Sequence, residues 1–487
     1  MTKQGYHGPL EQIDECCWRI PKDYKEGMRV EGRVFADDRL VGQIRQDQSP
    51  EQVANVAFLP GIQVASLAMP DIHWGYGFCI GGVCATDPEQ GGVVSPGGVG
   101  YDINCGVRLV RTNLREEDVR PRLQQLVESL FRRIPAGVGK GGPYLFAGKE
   151  LQRILGDGCR FLEKQGLATA SDVEHTEAGG CLAGARPDLV SARALERGSD
   201  QCGTLGSGNH FLEVQIVDEV VDEEAARVMG LQQGGVCVMI HSGSRGLGYQ
   251  VCDDALRDLR NVPARYGIHL PDRQLACAPV ESPEGQAYLG AMRAAANFAW
   301  ANRQLLMWQT RECFAEFFGK TWESLQMSLI YDVAHNIAKI EDHTIEGKQK
   351  TVCVHRKGAT RAFPAGHPET PARYRQIGQP VIIPGDMGRA SWVLVGQPGS
   401  MERSFGTTCH GAGRLMSRTA AAQSAKGRRI DRELAEQGVI ARARSWQGLA
   451  EEQPAAYKDV SWVVDVVHRA GLASKVARLR PIGVVKG

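Results

Sequence analysis

The stretch Ser95-Pro96-Gly97-Gly98-Val99-Gly100-Tyr101-Asp102-Ile103-Asn104-Cys105-Gly106 runs directly into the apolar segment Val107-Arg108-Leu109-Val110. Glycine supplies positive φ and lets backbone approach a ligand closely, so the first part reads as a tight turn and the second as a strand. Asp102 and Cys105 are three residues apart, a spacing at which one turn can aim a carboxylate and a thiolate at a single ion. The glycines leave room for phosphate oxygens and expose backbone N–H groups. Taken alone, Asp-x-x-Cys is equally well explained as a structural turn.

Working outward, short apolar runs punctuated by glycine continue from Gly61 to Leu114 and include Val64–Leu67. Apolar spacing of three and four predicts an amphipathic helix over 117–133, and further helices are expected at Ser49–Val56 and Lys149–Gln165. Strands are expected at Phe211–Val217 and Val236–His241. The longest helical candidate, Glu284–Phe318, is rich in Ala, Leu, Met, Gln and Arg. Beyond it strands and loops dominate to about Gly396, followed by helices over Arg414–Ala425 and Ile430–Gln437. No Pro/Gly/Ser-rich linker or internal repeat divides the chain, and the candidate metal-type residues are dispersed from 102 to 335. One interwoven α and β domain over 1–487 is therefore expected.

Composition narrows the function classes. Apolar residues are 43% and charged residues 23% of 487, with a formal net charge of +1, so no global basic field marks a nucleic-acid binder. Local clusters such as Lys426, Arg428 and Arg429 read equally well as a solvated face. No apolar run reaches the ~18–20 residues of a membrane-spanning helix, and the N-terminus lacks the apolar region of a signal peptide. The 14 cysteines include no Cys-x-x-Cys pair, which argues against zinc ribbons and thioredoxin-like motifs. A reducing cytoplasm is the expected location. Glycine is in excess, at 58 residues, and it falls in motifs rather than in low-complexity sequence.

Of the twelve histidines, His7, His175, His269, His343, His367 and His468 sit in ordinary polar or loop contexts and are expected at the surface. His73, His210, His241, His335, His355 and His410 fall in apolar or glycine-rich motifs. Gly206-Ser207-Gly208-Asn209-His210-Phe211-Leu212-Glu213 ends a glycine loop and enters a strand, with Asn209 and Glu213 flanking the histidine. Met239-Ile240-His241-Ser242-Gly243-Ser244-Arg245-Gly246 places a histidine at a strand end before an arginine-bearing turn. Asp332-Val333-Ala334-His335-Asn336 is the next such motif. Each histidine alone is as readily structural. Together, Asp102, Cys105, His210, His241 and His335 suggest two adjacent ions bridged by one thiolate, and thiolate plus imidazole favours zinc. In Cys409-His410-Gly411-Ala412-Gly413-Arg414 small residues keep the imidazole accessible, and a following helix would offer backbone donors to a phosphate. Histidine is a competent nucleophile on phosphorus, and Arg414 can balance charge on phosphoryl oxygens. A glycine turn capping a helix is the competing reading.

With these motifs in view the sequence resembles the RtcB family of RNA ligases nearly end to end, from Met69-Pro70-Asp71-Ile72-His73 to Gly483-Val484-Val485-Lys486-Gly487. The resemblance implies an α+β fold, one large domain of mixed sheets and surrounding helices with a deep central metal and nucleotide cleft. It implies two Mn²⁺ ions, in place of zinc, on Asp102, Cys105, His210, His241 and His335, and GTP as the source of GMP carried on His410. It further implies site roles for Asp71, Arg245 and Arg414. Nucleotide or phosphate contacts are implied for Asn209, Glu213, Asn336, Ser391, Gly411, Gly413, Tyr457 and Lys486. The implied reaction joins RNA 2′,3′-cyclic-phosphate or 3′-phosphate ends to 5′-hydroxyl ends, in tRNA splicing or RNA repair, with room for an archease-type activator. Trp74 and Asp386 stand at positions that vary within the family and bear on details of RNA or nucleotide contact. Two other readings remain: a metal-dependent phosphodiesterase acting on RNA ends, which would not need His410, and a non-catalytic RNA-binding scaffold with a structural metal.

Overall fold

The computed structural model describes residues 5–487. Two large sheets organise them. The first has seven strands in the spatial order Glu11–Asp14, Cys17–Ile20, Glu31–Phe35, Ala65–His73, Ile80–Thr86, Lys348–Lys357 and Asn336–Ile345. The second runs Ser328–Ala334, Gly106–Arg115, Gly235–Ser242, Phe211–Val220, Ala473–Lys486, Ser391–Gly396 and Pro380–Ile383, with Ile440–Ala443 pairing in parallel to Ala473–Lys486. The α+β architecture expected from the sequence is thus present.

The strand Gly106–Arg115 shows why the second sheet is covered on both faces. Val107 and Leu109 join Met239, Tyr331, Val393 and Leu479 in one apolar cluster. Val110 and Leu114 join Leu212, Val214, Ile240, Leu306 and Phe314 in another. Alternation along a strand sends successive side chains to opposite faces, and here both faces find apolar partners. Leu306 and Phe314 come from the helix Pro283–Phe318, which is 36 residues long. Ser282 caps its N-terminus by accepting the Gly285 N–H, Pro283 occupies its first turn, and Gly319 closes it, as helix-end chemistry requires. This helix matches the expected span almost residue for residue.

Other elements differ from expectation. The helix over 117–133 is three pieces, Glu116–Val119, a short 3₁₀ turn at Arg120–Arg122 and Leu123–Arg133. Pro121 lies in the middle piece and cannot donate a backbone hydrogen bond. The helix over 149–165 divides into Gly148–Asp157 and Cys159–Lys164 at Gly158, whose φ is +53°, a conformation that favours glycine. His175 and His343 are buried rather than at the surface. The His175 ring hydrogen-bonds the Ser171 carbonyl at 2.8 Å, and His343 lies 3.2 Å from Glu341. No helix among the described residues is long and apolar enough to cross a membrane.

Candidate metal and nucleotide cleft

Strand register assembles the site. In the second sheet Ala334 pairs with Gly106, Gly106 with Ser242, His241 with Phe211, and Phe211 with Lys486. His335, Cys105, His241, His210 and Lys486 therefore lie at one end of five neighbouring strands, although 381 residues of sequence separate the first from the last of them, 486 − 105. Cys105 Sγ lies 3.2 Å from His241 Nε2 and 3.5 Å from His210 Nε2, and Asp102 Oδ2 lies 2.9 Å from His210 Nε2. The ligand atoms of Asp102, Cys105 and His210 all fall within 4.8 Å of one another. His335 joins edge-on, its ring centroid 5.6 Å from that of His241, and its Nδ1 is held 2.9 Å from Thr360 Oγ1.

This donor set fits a divalent metal. His335, whose Nδ1 is taken by Thr360, leaves its Nε2 buried with no hydrogen-bond partner, which is costly for a polar atom unless something else engages it. Burial, then the neighbouring Asp102 carboxylate, pushes the Cys105 thiol well above its ordinary range, against a smaller pull from Arg303. A bound cation would reverse that penalty by favouring the thiolate. Burial, which penalises the charged form, holds both His241 and His335 well below the ordinary imidazole range and so keeps them neutral. Neutral imidazole is the form that binds metals.

The facing wall comes from the first sheet and a short ribbon. Thr407–Cys409 pairs with Ala359–Arg361, Ala359 opposite Cys409, and delivers His410 at its end. The His410 ring sits 5.4 Å from the His335 ring. Asp71, fully buried on the strand Ala65–His73, accepts from His410 Nδ1 at 2.5 Å and from the His410 and Gly411 backbone N–H groups at 2.9 and 3.2 Å. Burial alone would raise the Asp71 carboxyl, but His410 outweighs it and holds the group below the usual range. Lys458, which the sequence did not single out, donates to the carbonyls on either side, Pro70 at 3.1 Å and Ile72 at 2.6 Å. Gly413 has φ +72°, and a Cβ there would lie 2.1 Å from the Asp71 carbonyl oxygen, so only glycine lets the loop close over this strand.

The segment after His410 is not helical, contrary to expectation: it runs as coil to Ser417, which caps the helix Arg418–Ser424. Hydrogen bonding of Asp71 to the two N–H groups takes the place of a helix terminus. The cleft between the two walls is lined by His73, Asn209, Phe211, Glu213, Tyr457 and Lys486, among others. Arg414 also lines it, but its guanidinium donates to Glu452 at 3.0 Å and to the Tyr457 hydroxyl at 3.1 Å and lies 5.0 Å from the Tyr457 ring centre. Lys486 Nζ donates to the Gly208 carbonyl at 2.8 Å. Ser391 sits behind the lining, accepting from Gln215 and Gly385. Asn336 uses its amide to tie the Asp102 carbonyl to the Gly358 N–H. Arg245 donates to Thr204 Oγ1 at 3.2 Å beside Asp102. Asp386 accepts the Gly388 and Arg389 N–H groups, and Trp74 is exposed. His355 lies apart from the cleft lining and accepts the Ser95 N–H at 3.1 Å.

A thiol, imidazole and carboxylate cluster facing a carboxylate-held histidine defines the kind of protein this is. Comparison with known proteins then gives the family. The family model for tRNA-splicing ligase RtcB matches residues 52–487. The chain is 54% identical to the tRNA-splicing ligase RtcB of Thermococcus kodakarensis over 479 residues, covering 98% of this chain and 99% of that one. It is 56% identical to the RNA-splicing ligase RtcB of Mycobacterium tuberculosis over 438 residues, covering 90% of this chain and 100% of that one. The chain belongs to the RtcB family.

Proposed function

We propose that this chain is an RNA ligase that joins 2′,3′-cyclic-phosphate or 3′-phosphate ends to 5′-hydroxyl ends, using GTP through a guanylylated His410. The observation that carries the reading is the pairing of His410 Nδ1 with buried Asp71 at 2.5 Å, which leaves Nε2 for nucleophilic attack on a ring 5.4 Å from that of His335. Asp71 fixes the tautomer and stabilises the imidazolium as charge develops, the orienting role a carboxylate plays behind a histidine.

In this reading His410 Nε2 attacks the α-phosphorus of GTP, and the bond to pyrophosphate breaks. Water opens a cyclic RNA end to a 3′-phosphate by displacing the 2′-oxygen, and an oxygen of that phosphate then takes GMP as the bond between GMP and His410 Nε2 breaks. The 5′-hydroxyl of the second strand attacks the activated phosphorus, and GMP leaves. Tyr457 offers its ring to guanine, while Glu213 and Lys486 line the base end of the cleft; Asn209, Arg245 and Arg414 meet phosphates. Asp102, Cys105, His210, His241 and His335 would hold two Mn²⁺ ions, whose Lewis acidity supports each phosphoryl step. The soft thiolate and imidazoles also suit zinc, so competition between Mn²⁺ and Zn²⁺ belongs in the same assay. Purified protein incubated with labelled GTP and Mn²⁺ should carry an acid-labile, alkali-stable label that His410→Ala abolishes. Absence of the adduct overturns the mechanism and favours a phosphodiesterase. Repeating the joining assay with and without an archease-type protein tests that partner.

A further inference from the structure

Beneath the cluster, the helix Pro283–Phe318 presents Arg303, a fully buried side chain. A guanidinium has five N–H donors, and all five are engaged. Nη1 donates to the Asn104 carbonyl at 2.7 Å and to the Ser242 carbonyl at 3.0 Å. Nη2 donates to Asn104 Oδ1 at 3.0 Å and Asp332 Oδ1 at 2.7 Å, and Nε donates to Asp332 Oδ2 at 2.9 Å. Asn104 precedes Cys105, Ser242 follows His241, and Asp332 lies three residues before His335. One planar fork thus ties together the three backbone segments that carry three of the five cluster residues.

We propose that Arg303 is a positioning residue for the metal centre, locking the Cys105, His241 and His335 segments in the spacing that metal binding needs; this rests on reading that cluster as a metal centre. Stability alone is a poor explanation, because buried ion pairs are commonly replaceable by apolar residues at little cost. The charge count points the same way. Arg108 and Arg303, both fully buried, share the single carboxylate of Asp332, so a surplus positive charge lies behind a site whose ligands include a thiolate and a carboxylate. The guanidinium touches neither metal nor substrate and acts through the segments it holds. Partners of this kind behind metal ligands typically change metal affinity by 10–100-fold when altered.

Arg311 supplies a matched control. It is equally buried on the same helix and pairs with Asp172 through two 2.7 Å bonds, yet its partners adjoin none of the cluster residues. The test uses chelator-stripped full chain, titrated with Mn²⁺ by calorimetry and with Co²⁺ by the thiolate charge-transfer band, beside the thermal midpoint of the stripped protein. Arg303→Lys should weaken Mn²⁺ binding about 10–100-fold and alter the Co²⁺ band. Arg311→Lys should lower the midpoint and leave both metal readouts as in the unaltered chain. Asn104→Gly, which keeps the positive φ of that residue (+51°) and removes one acceptor, should give a smaller loss of affinity. It preserves the test if Arg303→Lys does not fold. Wild-type metal binding by Arg303→Lys or, where that variant does not fold, by Asn104→Gly overturns the proposal, as does an equal loss in Arg311→Lys. If the unaltered chain takes up no metal, the metal-centre reading itself falls, and this inference with it.

Discussion

Asp71 Oδ2 receives three N–H groups from two consecutive residues, the ring and backbone of His410 and the backbone of Gly411. The carboxylate therefore holds the imidazole and the loop that carries it as one unit. Asp71→Asn keeps the volume but removes the charge and permits the wrong tautomer. Labelling of His410 from GTP should fall by about 10²–10⁴-fold, while equilibrium GTP binding persists. An unaltered single-turnover rate would remove Asp71 from the orienting role.

Cys105 separates a catalytic metal site from a structural one. Its neighbours are His210 and His241 at 3.5 and 3.2 Å, and the surrounding core clusters are large and apolar without it. Cys105→Ala should fold with a thermal midpoint within a few degrees of the parent, bind less Mn²⁺ and lose RNA joining. Unfolding of this variant at ordinary temperature, measured by circular dichroism, would favour a scaffold held by a structural metal.

Glu213 predicts a pH dependence of stability. Burial pushes its carboxyl up to about 8, against a smaller opposing pull from Gln215 and Lys486. The unfolded chain releases this proton near pH ~4.3, so between that value and about 8 the folded state holds a proton that the unfolded state has lost. Stability must then fall as pH rises through the window, by at most ~1.4 kcal/mol per pH unit from this group. Glu213→Gln should flatten that slope in urea melts between pH 5 and 8; parallel slopes for variant and parent would refute the assignment.

Tyr457 is expected to act on affinity rather than on chemistry. Arg414 already lies against its ring, 5.0 Å from the centre, so guanine must take the other face or displace the arginine. Tyr457→Ala removes the stacking surface, a loss worth ~1–3 kcal/mol per base, and should raise the GTP concentration for half-maximal labelling about tenfold with the saturated rate little changed. Tyr457→Phe keeps the ring and should retain most of the affinity; equal losses in both variants would place the contribution in the hydroxyl.

Much of the site was legible because each chemistry-bearing residue sits at a strand end or glycine turn that announces itself locally. Asp102 and Cys105 share a turn, and His210, His241 and His335 each border an apolar run. Their convergence was not legible, since it depends on strands from distant parts of the chain becoming neighbours at one register. Arg303 was missed for a related reason: a charged residue on a helix reads as solvated, and only the packed structure shows two strand ends and a turn crowding around it. Lys458 carries no motif at all; its role as a brace beside Asp71 comes entirely from tertiary position. The helix expected after His410 was overestimated because the segment's small residues resemble an N-terminal turn, whereas the actual cap is Ser417.

The strand Ala473–Lys486 fills a slot between Phe211–Val220 and Ser391–Gly396. Both neighbours precede it in the chain, so until this strand is in place the largest sheet has a gap through its middle. Two unpaired strand edges face that gap, the kind of surface that invites pairing with other chains. The cleft also lacks Lys486 until the gap closes. Closing the sheet and completing the lining of the cleft are therefore one and the same event.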